Sequence, residues 1–241
     1  MKKNAQTETL PIRIRANAEE EEFILGNRFD IAMPVFIRIL DREGIYIECY
    51  PQVERLVLCH AEKYGRRILS NQSLRELHAA LAPYLQKWGY EEEKNSMRRY
   101  EIYRSGEAQD EKMPLPVGVR RLTECDEDIN RTTVDIEYAI ENGATVFGYE
   151  ENGEIISIAA THIYDGELPQ DVEVMVETVP SARCRGLALA CLCALKEELR
   201  EVGYSVEYRC STRNTASKSV AGRAGLLLVG QCHYYVLRAK G

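Results

Sequence analysis

The sequence predicts a mixed α/β fold, in which one sheet holds strands of both directions and helices cover it. Between residues 118 and 237, segments whose apolar residues alternate every second position are interleaved with segments of helical period. The dipeptide Asn152-Gly153 lies between two of the strand-like segments and is typical of a tight antiparallel hairpin. A sheet with such a hairpin is mixed rather than simply doubly wound.

The composition predicts a folded protein and argues against a nucleic-acid partner. The chain has 241 residues, 45% of them hydrophobic, which is enough for one large domain or two smaller ones. Intrinsic disorder is therefore not expected as the main feature. The formal net charge of −7 provides no positive field that would hold a polyanion at physiological salt.

The cysteines and the N-terminus predict a cytoplasmic protein without metal or membrane contact. The cysteines are irregularly spaced in a chain well above mini-protein size, so we expect thiols rather than disulfides, and no metal-ligand spacing is recognisable. The N-terminus lacks the apolar core of a signal peptide, and no stretch approaches the length of a membrane span. The cysteines are Cys49, Cys59, Cys125, Cys184, Cys191, Cys193, Cys210 and Cys232.

The first hundred residues predict strands and helices of their own. The expected hairpin has Gly44 at its turn. The second helix is expected to start at a Ser73 cap with Glu76 three residues later, to bend at Pro83 and to stop near Gly89. Strands are predicted at residues 36–40, 45–49 and 97–103, and helices at residues 54–64 and 73–88.

A polar stretch that ends in prolines, residues 105–116, is the predicted linker between two domains. We place the boundary near residue 112, which gives an N-terminal α/β region of unknown role (1–112) and a C-terminal domain (113–241). The acidic run at residues 19–22 is interpreted as a solvated arm or helix start.

The C-terminal half shows a clear order of elements. Gly143 and Gly203 each end a predicted helix. Strands are predicted at residues 118–122, 146–150, 155–162, 172–179 and 205–210, helices at 127–142, 185–202 and 214–224, and a closing strand or strand pair at 226–237.

The segment Arg183-Cys-Arg-Gly-Leu-Ala188 lies between the fourth of these strands and a long apolar helix. A helix start presents unpaired N–H groups and the positive end of the helix dipole, which suits a pyrophosphate. Gly186 allows close approach of the backbone, and Ala188 keeps the next turn small. Arg183 and Arg185 add positive charge.

This Arg-x-x-Gly-x-Ala pattern, placed after a Val-Pro strand end, resembles the acetyl-CoA signature of the GNAT superfamily of N-acyltransferases. The order of elements from Val117 onward is similar to that fold, so the resemblance covers about the last half of the chain. It implies a GNAT-like acyl-CoA N-acyltransferase fold for residues 113–241, with the N-terminal α/β region as an addition. It also implies acetyl-CoA as co-substrate and no metal.

A second segment supports the resemblance. Asn214 and Ser217 follow the fifth strand, and Gly225 precedes the next, which looks like the elements that flank the pantetheine arm in the superfamily. The fourth and fifth strands are then expected to splay apart, with backbone groups of the fourth strand pairing with the pantetheine amides. The implied cofactor contacts are Val176, Thr178, Val179, Arg183, Cys184, Arg185, Gly186, Leu187, Ala188, Asn214 and Ser217.

Two carboxylates are the candidates for the catalytic base. Glu173 and Glu177 fall on one face of the fourth strand, where either could take a proton directly or through water, or could simply face solvent. Glu177 is favoured for its closeness to the cofactor turn. Many relatives carry a tyrosine as general acid at the position of Ala221, so the acid is unassigned. Alternatives on nearby strands are Tyr208, Tyr234, Tyr235 and His233, whereas His162 and Cys210 are interpreted as structural.

The favoured function is N-acetyl transfer from acetyl-CoA directly to the amine of a small molecule or peptide. The alternative is a non-catalytic acyl-CoA-binding regulatory or interaction module, which the alanine at position 221 permits. A nucleotide-binding domain of another fold is disfavoured because no Gly-x-Gly-x-x-Gly or Walker-type loop is present. The N-terminal region could cover the acceptor site or form a homodimer surface.

Overall fold

The computed structural model describes residues 10–16, 31–32, 34–87, 90–92, 98–106, 117–164, 167–235 and 237–239. The chain divides into two compact units, residues 1–101 with 229–241 and residues 102–228. The predicted boundary near residue 112 and the acidic run at 19–22 lie outside the described residues. The division into 1–112 and 113–241 therefore stays a prediction.

The described residues form thirteen strands and five helices, and the strands at Ile12–Ala16, Ile31–Ala32 and Tyr90–Glu92 were not predicted from the sequence. In chain order they are β1 (Ile12–Ala16), β2 (Ile31–Ala32), β3 (Val35–Leu40), β4 (Gly44–Cys49), α1 (Glu54–Tyr64), α2 (Asn71–Lys87), β5 (Tyr90–Glu92), β6 (Arg98–Ser105), β7 (Val119–Arg121), α3 (Ile136–Glu141), β8 (Val146–Glu151), β9 (Glu154–Thr161), β10 (Asp171–Thr178), α4 (Leu187–Glu201), β11 (Ser205–Ser211), α5 (Thr215–Arg223), β12 (Leu226–Tyr234) and β13 (Leu237–Ala239).

In the first unit, β3 pairs antiparallel with β4 and with β12, and β1 pairs parallel with β4. The apolar faces of α1 and α2 pack on this sheet, because leucines repeat along α2 at helical spacing. The Tyr235 hydroxyl donates to the carbonyl of Leu74 at 2.9 Å, which satisfies a buried polar group. The core includes Val35, Ile37, Ile45, Ile47, Val53, Val57, Ala61, Leu74, Leu77, Leu81 and Leu85.

The start of α2 differs from the sequence prediction. The helix begins at Asn71, and the hydroxyl of Ser70 accepts the N–H of Ser73 at 3.2 Å, so Ser70 takes the capping role. Ser73 lies inside the helix, fully buried, with its hydroxyl 2.8 Å from His60 Nε2. The physical reason is packing, because the buried Ser73 finds its polar partner on α1.

In the second unit, β11, β10, β9, β8 and β7 lie side by side in that order. β10 is parallel to β11 and antiparallel to β9, so the predicted mixed sheet is confirmed. One face packs against α4 and α5 through residues such as Val174, Leu192 and Val206, and the other packs against α3 through Ile136 and Ile158. Side chains on β10 therefore point alternately to the α4 face and to the α3 face.

The hairpin between β8 and β9 is confirmed. Asn152 and Gly153 both have positive φ, 54° and 79°, as a two-residue turn of this kind requires. The strands on either side pair antiparallel, with Glu151 opposite Glu154.

The helix predicted over residues 127–142 is wrong over its first half. The chain makes a 3-10 turn over residues 124–129 and then runs without helix until α3. The amide oxygen of Asn130 accepts from the N–H of Thr132 (2.9 Å) and from its hydroxyl (2.8 Å). Such local side-chain bonds compete with the helix, and Thr132 and Thr133 are β-branched residues of low helix propensity.

Candidate active site

Residues 179–186 join β10 to α4 and are called the α4 loop. Cys184 and Gly186 both have left-handed backbone conformations, with φ of 62° and 82°, and Gly186 is the N-cap of α4. A Cβ at position 186 would meet no heavy atom within 4 Å. The glycine is therefore needed for its backbone conformation, and open space lies next to the start of the helix.

The start of α4 presents a row of backbone donors. The N–H of Ala190 donates to the carbonyl of Gly186 at 3.0 Å, so the amides of residues 187–189 precede the helical ladder. Leu187 is buried against Ile156 and Ala182 and anchors this end of the helix. The N–H groups and the helix dipole together form a group that suits an anion.

Both arginines of the α4 loop form hydrogen bonds with other residues of the chain. Arg183 Nε donates to the carbonyl oxygen of Thr178 at 3.3 Å. Arg185 donates from Nη1 and Nη2 to the two carboxylate oxygens of Glu151, at 3.0 and 2.5 Å. These hydrogen bonds lower the pKa of Glu151 and raise the pKa of Arg185. An anionic ligand at the loop would share or exchange these partners.

β10 and β11 separate beyond the middle of β10. Their parallel register runs from Asp171 opposite Ser205 to Val174 opposite Tyr208, whereas β10 itself continues to Thr178. The expected splay of the fourth and fifth strands is therefore present. The gap between β10 and β11 opens after Val174 and leads toward the α4 loop.

The backbone of β10 offers hydrogen-bonding groups along this gap. Val179 N–H donates to the carbonyl of Ile156 at 3.0 Å, in line with the antiparallel register of β9 and β10. Because such pairing alternates, odd-numbered residues of β10 direct their backbone groups toward β9. The backbone groups of Val176 and Thr178 then point to the opposite edge, where the gap lies, as the sequence predicted for an added strand.

Helix α5 begins beside the other wall of the gap. Its N-cap is Asn214, whose side-chain oxygen accepts the N–H of Ser217 at 3.1 Å. Burial raises the pKa of Tyr208, and a hydrogen bond with the Ser217 side chain partly opposes that shift. Ala221 is fully buried in the same apolar cluster as Tyr208. A phenol from β11 and a hydroxyl from α5 therefore meet on the α4 face.

Glu173 and Glu177 share the α3 face of β10, as the alternation predicted, with Met175 between them packed against the α3 cluster. Both oxygens of Glu177 accept hydrogen bonds from Thr133: its N–H reaches Oε1 at 3.1 Å and its hydroxyl reaches Oε2 at 2.8 Å. Glu177 therefore ties β10 to the non-helical stretch before α3.

Glu173 belongs to a row of alternating charges across β6, β11 and β10. Arg209 Nη1 lies 2.7 Å from Glu173 Oε2, and its Nη2 lies 2.7 Å from Glu207 Oε1. Arg104 Nε reaches the other oxygen of Glu207 at 2.9 Å, and its Nη1 lies 3.1 Å from Asp171. The Glu207 side chain is only 1% exposed, so its charge is stable only because both arginines pair with it.

His162 lies at the solvent side of Glu173. Its Nε2 is 3.8 Å from Glu173 Oε1, and its side chain is 45% exposed. The backbone joins the same two residues, since His162 N–H donates to the carbonyl of Glu173 at 2.9 Å. The N–H of Glu173 in turn donates to the Tyr164 hydroxyl at 2.8 Å. Backbone hydrogen bonds thus hold His162 and Glu173 next to each other.

Several of these partners were not predicted from the sequence. Arg209 and Glu207 alternate with apolar residues on β11, and charged residues in a buried strand were a readable signal. Arg104 had no such signal, because it lies 103 residues from Glu207 and fell within the predicted N-terminal region. Glu151 likewise meets Arg185 across 34 residues of sequence.

Residues 108–226 match the sequence model of the family described as Acetyltransferase (GNAT) family. This part of the chain is a GNAT acetyltransferase domain, and the resemblance and fold class predicted from the sequence are confirmed. No curated protein matches the chain.

The chain is similar to several solved structures. A protein described as an acetyltransferase from the GNAT family of Novosphingobium aromaticivorans has a TM-score of 0.50 and 16% identity, over 64% of this chain and 69% of that one. A GNAT-family acetyltransferase from Colwellia psychrerythraea has a TM-score of 0.45 and 14% identity, over 60% of this chain and 56% of that one. A GCN5-related N-acetyltransferase from Sphaerobacter thermophilus has a TM-score of 0.45 and 14% identity, over 89% of this chain and 82% of that one.

Three further observations concern metal, membrane and sulfur. Within the part of the chain that the structure describes, no group of three or more His, Cys, Asp or Glu side chains is arranged to hold a metal ion. No helix among those residues is both long and apolar enough to span a membrane. All eight cysteines lie in the described ranges and carry thiols rather than disulfides.

Proposed function

We propose that the protein transfers an acetyl group from acetyl-CoA to the amine of a small molecule or peptide by direct attack. The family assignment supports acetyl transfer at the level of the class. One observation carries the proposal further: the edge of β10 that separates from β11 after Val174 leads directly into the α4 loop. An extended ligand with an anionic end fits that arrangement.

The residues along the gap are proposed to hold coenzyme A along its length. The amides of Leu187 and Ala188 and the guanidinium groups of Arg183 and Arg185 would hold its phosphates. The α4 loop residues Val179, Cys184 and Gly186 would line the turn, because their backbone runs past the open space at the helix start. When bound, acetyl-CoA supplies the thioester that carries the acetyl group.

The middle of the ligand would lie between the two walls of the gap. The backbone groups of Val176 and Thr178 would pair with its pantetheine amides, since they point to the edge that β11 leaves. Asn214 and Ser217 would flank it from the start of α5. Arg183 must then exchange its contact with the Thr178 carbonyl for the ligand.

Proton removal from the amine is assigned to the α3 face of β10. Glu173 and Glu177 are the two carboxylates proposed for this work, because a neutral amine is needed for attack. The contacts support Glu173 over Glu177, since Thr133 occupies both oxygens of Glu177 whereas Glu173 directs Oε1 toward the exposed His162.

Protonation of the leaving thiolate has a different candidate. Ala221 is fully buried and carries no acidic group. Tyr208, whose hydroxyl meets Ser217 at the start of α5, is the tyrosine that the contacts support for this role. The same alanine favours the second candidate function, an acyl-CoA-binding module without turnover, because such a module needs the gap and no acid.

One experiment separates these functions. Calorimetric titration with acetyl-CoA reports binding, and release of free thiol in the presence of a panel of amines and peptides reports transfer. Binding with amine-dependent thiol release supports the transferase. Binding without release for any acceptor supports the module, and the absence of binding contradicts both.

The remaining expectations about partners stay predictions. The acceptor is an amine, nucleic acid and membrane are not expected partners, a homodimer is possible, and the cytoplasm is the expected compartment. Sedimentation equilibrium at several protein concentrations would determine the oligomeric state.

A further inference from the structure

His162 is a titratable side chain that the sequence analysis interpreted as structural. It follows β9 directly, opposite Glu173 on β10, and its backbone N–H donates to the Glu173 carbonyl at 2.9 Å. Cross-strand residues in such a pair place their side chains on the same sheet face. His162 therefore stands on the α3 face with Glu173 and Glu177, where the amine is proposed to lose its proton.

Three ionisable groups on this face differ in what holds them. Glu177 is bound through both oxygens by Thr133. Glu173 Oε2 lies 2.7 Å from Arg209. His162 is 45% exposed, and its Nε2 is 3.8 Å from Glu173 Oε1. The imidazole is thus the most accessible of the three groups to an incoming amine.

A row of alternating charged side chains holds Glu173 next to the His162 imidazole. Arg104 and Arg209 bind opposite oxygens of the buried Glu207, which fixes both guanidinium groups. Arg209 fixes one oxygen of Glu173 and turns the other toward His162. A carboxylate held in this way can orient an imidazole toward an incoming amine.

We propose that His162 accepts the proton of the acceptor amine and that Glu173 acts as its positioning residue. The inference rests on the proposed function and names the group that performs one of its steps. It assigns to Glu173 a role through His162 rather than direct contact with the amine.

The step balances in atoms and charge. The acceptor arrives as an ammonium ion, and His162 removes one proton, which frees the nitrogen lone pair for attack on the thioester carbonyl carbon. The C–N bond forms and the C–S bond breaks with its electron pair going to sulfur, which receives the second amine proton by way of Tyr208. The products are an acetamide, the free thiol and a protonated His162, whose proton then passes to water.

The test compares two classes of acceptor in the full-length protein. Alkylamines are protonated at neutral pH and need a base, whereas hydrazines and arylamines are already neutral. His162→Gln is expected to lower kcat for alkylamines about 100-fold or more, within the usual range for a general base. With the neutral acceptors we expect a loss of less than about threefold, and the KM for acetyl-CoA should not change with either class.

Two further variants test the assigned roles. Free imidazole should restore part of the alkylamine rate in His162→Ala, because it replaces the missing base. Glu173→Gln alone should lower kcat for alkylamines. In a protein that already carries His162→Gln, the same change should lower kcat little further, because Glu173 acts only through His162. His78→Gln, which lies in the first unit, is the matched control and should keep the full rate.

The outcomes separate this inference from the proposed function. An equal loss for both acceptor classes, or an alkylamine rate within about twofold of the original, overturns the role of His162 and leaves the transferase standing. If the unchanged protein releases no thiol with any acceptor of either class, both the transferase and the role of His162 are overturned. Thermal unfolding of each variant confirms that a lost rate is not a lost fold.

Discussion

Glu177 on β10 receives two hydrogen bonds from Thr133, one at each carboxylate oxygen, at 3.1 and 2.8 Å. Thr133 lies in the stretch where the sequence predicted helix and the structure shows none. The carboxylate that the sequence analysis favoured as base therefore also serves as a tether for the chain before α3. We therefore expect Glu173 to contribute more to turnover than Glu177 does.

Glu173→Gln is expected to lower kcat more than Glu177→Gln does, by about tenfold or more. The reason is that Glu173 faces the exposed His162, whereas Glu177 is occupied by Thr133. Steady-state kinetics with one alkylamine acceptor measures both. Thr133→Val, which removes one bond to Glu177 and no carboxylate, is the control and should resemble Glu177→Gln. A larger loss in Glu177→Gln would return the base to that residue.

A charge at the N-cap of α4 is expected to abolish coenzyme A binding. Gly186 has φ of 82° and open space around a Cβ, so Gly186→Asp and Gly186→Asn should both fold with a similar small backbone strain. Aspartate and asparagine have nearly the same shape and differ in charge. Calorimetry should show that Gly186→Asp binds coenzyme A about 100-fold or more weakly than Gly186→Asn does. Equal affinities would contradict the assignment of the phosphates to this helix start.

Coenzyme A is expected to protect one cysteine from alkylation. Cys184 is exposed in the α4 loop, between the two arginines. Saturating coenzyme A should slow its reaction with iodoacetamide about tenfold or more, as peptide mass spectrometry would show. Cys59 and Cys125 are also exposed and provide internal controls whose rates should stay constant. Equal labelling of Cys184 with and without ligand would place the ligand elsewhere.

Cys191 provides the opposite reference in that experiment. It is buried, and burial raises its pKa to about 12. Because the thiolate is the reacting form, we expect no labelling of Cys191 at pH 8 in the folded protein. Its labelling would report unfolding during the assay.

Acid is expected to remove a stabilising contribution from Asp126. Arg120 binds both of its oxygens, at 2.9 and 2.6 Å, and this hydrogen bonding lowers its pKa from 3.8 to about 2. A carboxyl whose folded pKa lies below its unfolded value contributes stability above about pH 4 and loses it as the pH falls toward 2. Asp126→Asn should therefore cost about 1–2 kcal/mol of unfolding free energy at pH 7.

Urea unfolding at several pH values measures this effect. The difference between the original protein and Asp126→Asn should shrink steadily between about pH 4 and pH 2. Asp128→Asn changes an exposed carboxyl two residues away and should show no such trend. A difference that persists unchanged at pH 2 would mean that shape, and not charge, sets the cost.

Local patterns predicted most elements because their causes are local. Positive φ at Asn152 and Gly153 makes the hairpin, and Gly186 ends the α4 loop as its position suggested. The predicted helix at 127–142 was wrong in its first half because the Asn130 side chain bonds to Thr132 nearby, a competition that apolar periodicity does not show.

The sequence by itself determined the class of the fold and the placement of the α4 loop, since strand alternation, turn residues and the glycine at the helix start act over a few positions. Only the tertiary structure decided which side chains meet on the α3 face. Thr133 reaches Glu177 across 44 residues, and Arg104 reaches Glu207 across 103. Such contacts depend on strand order and register, which are set when distant segments pack together and bury their apolar faces.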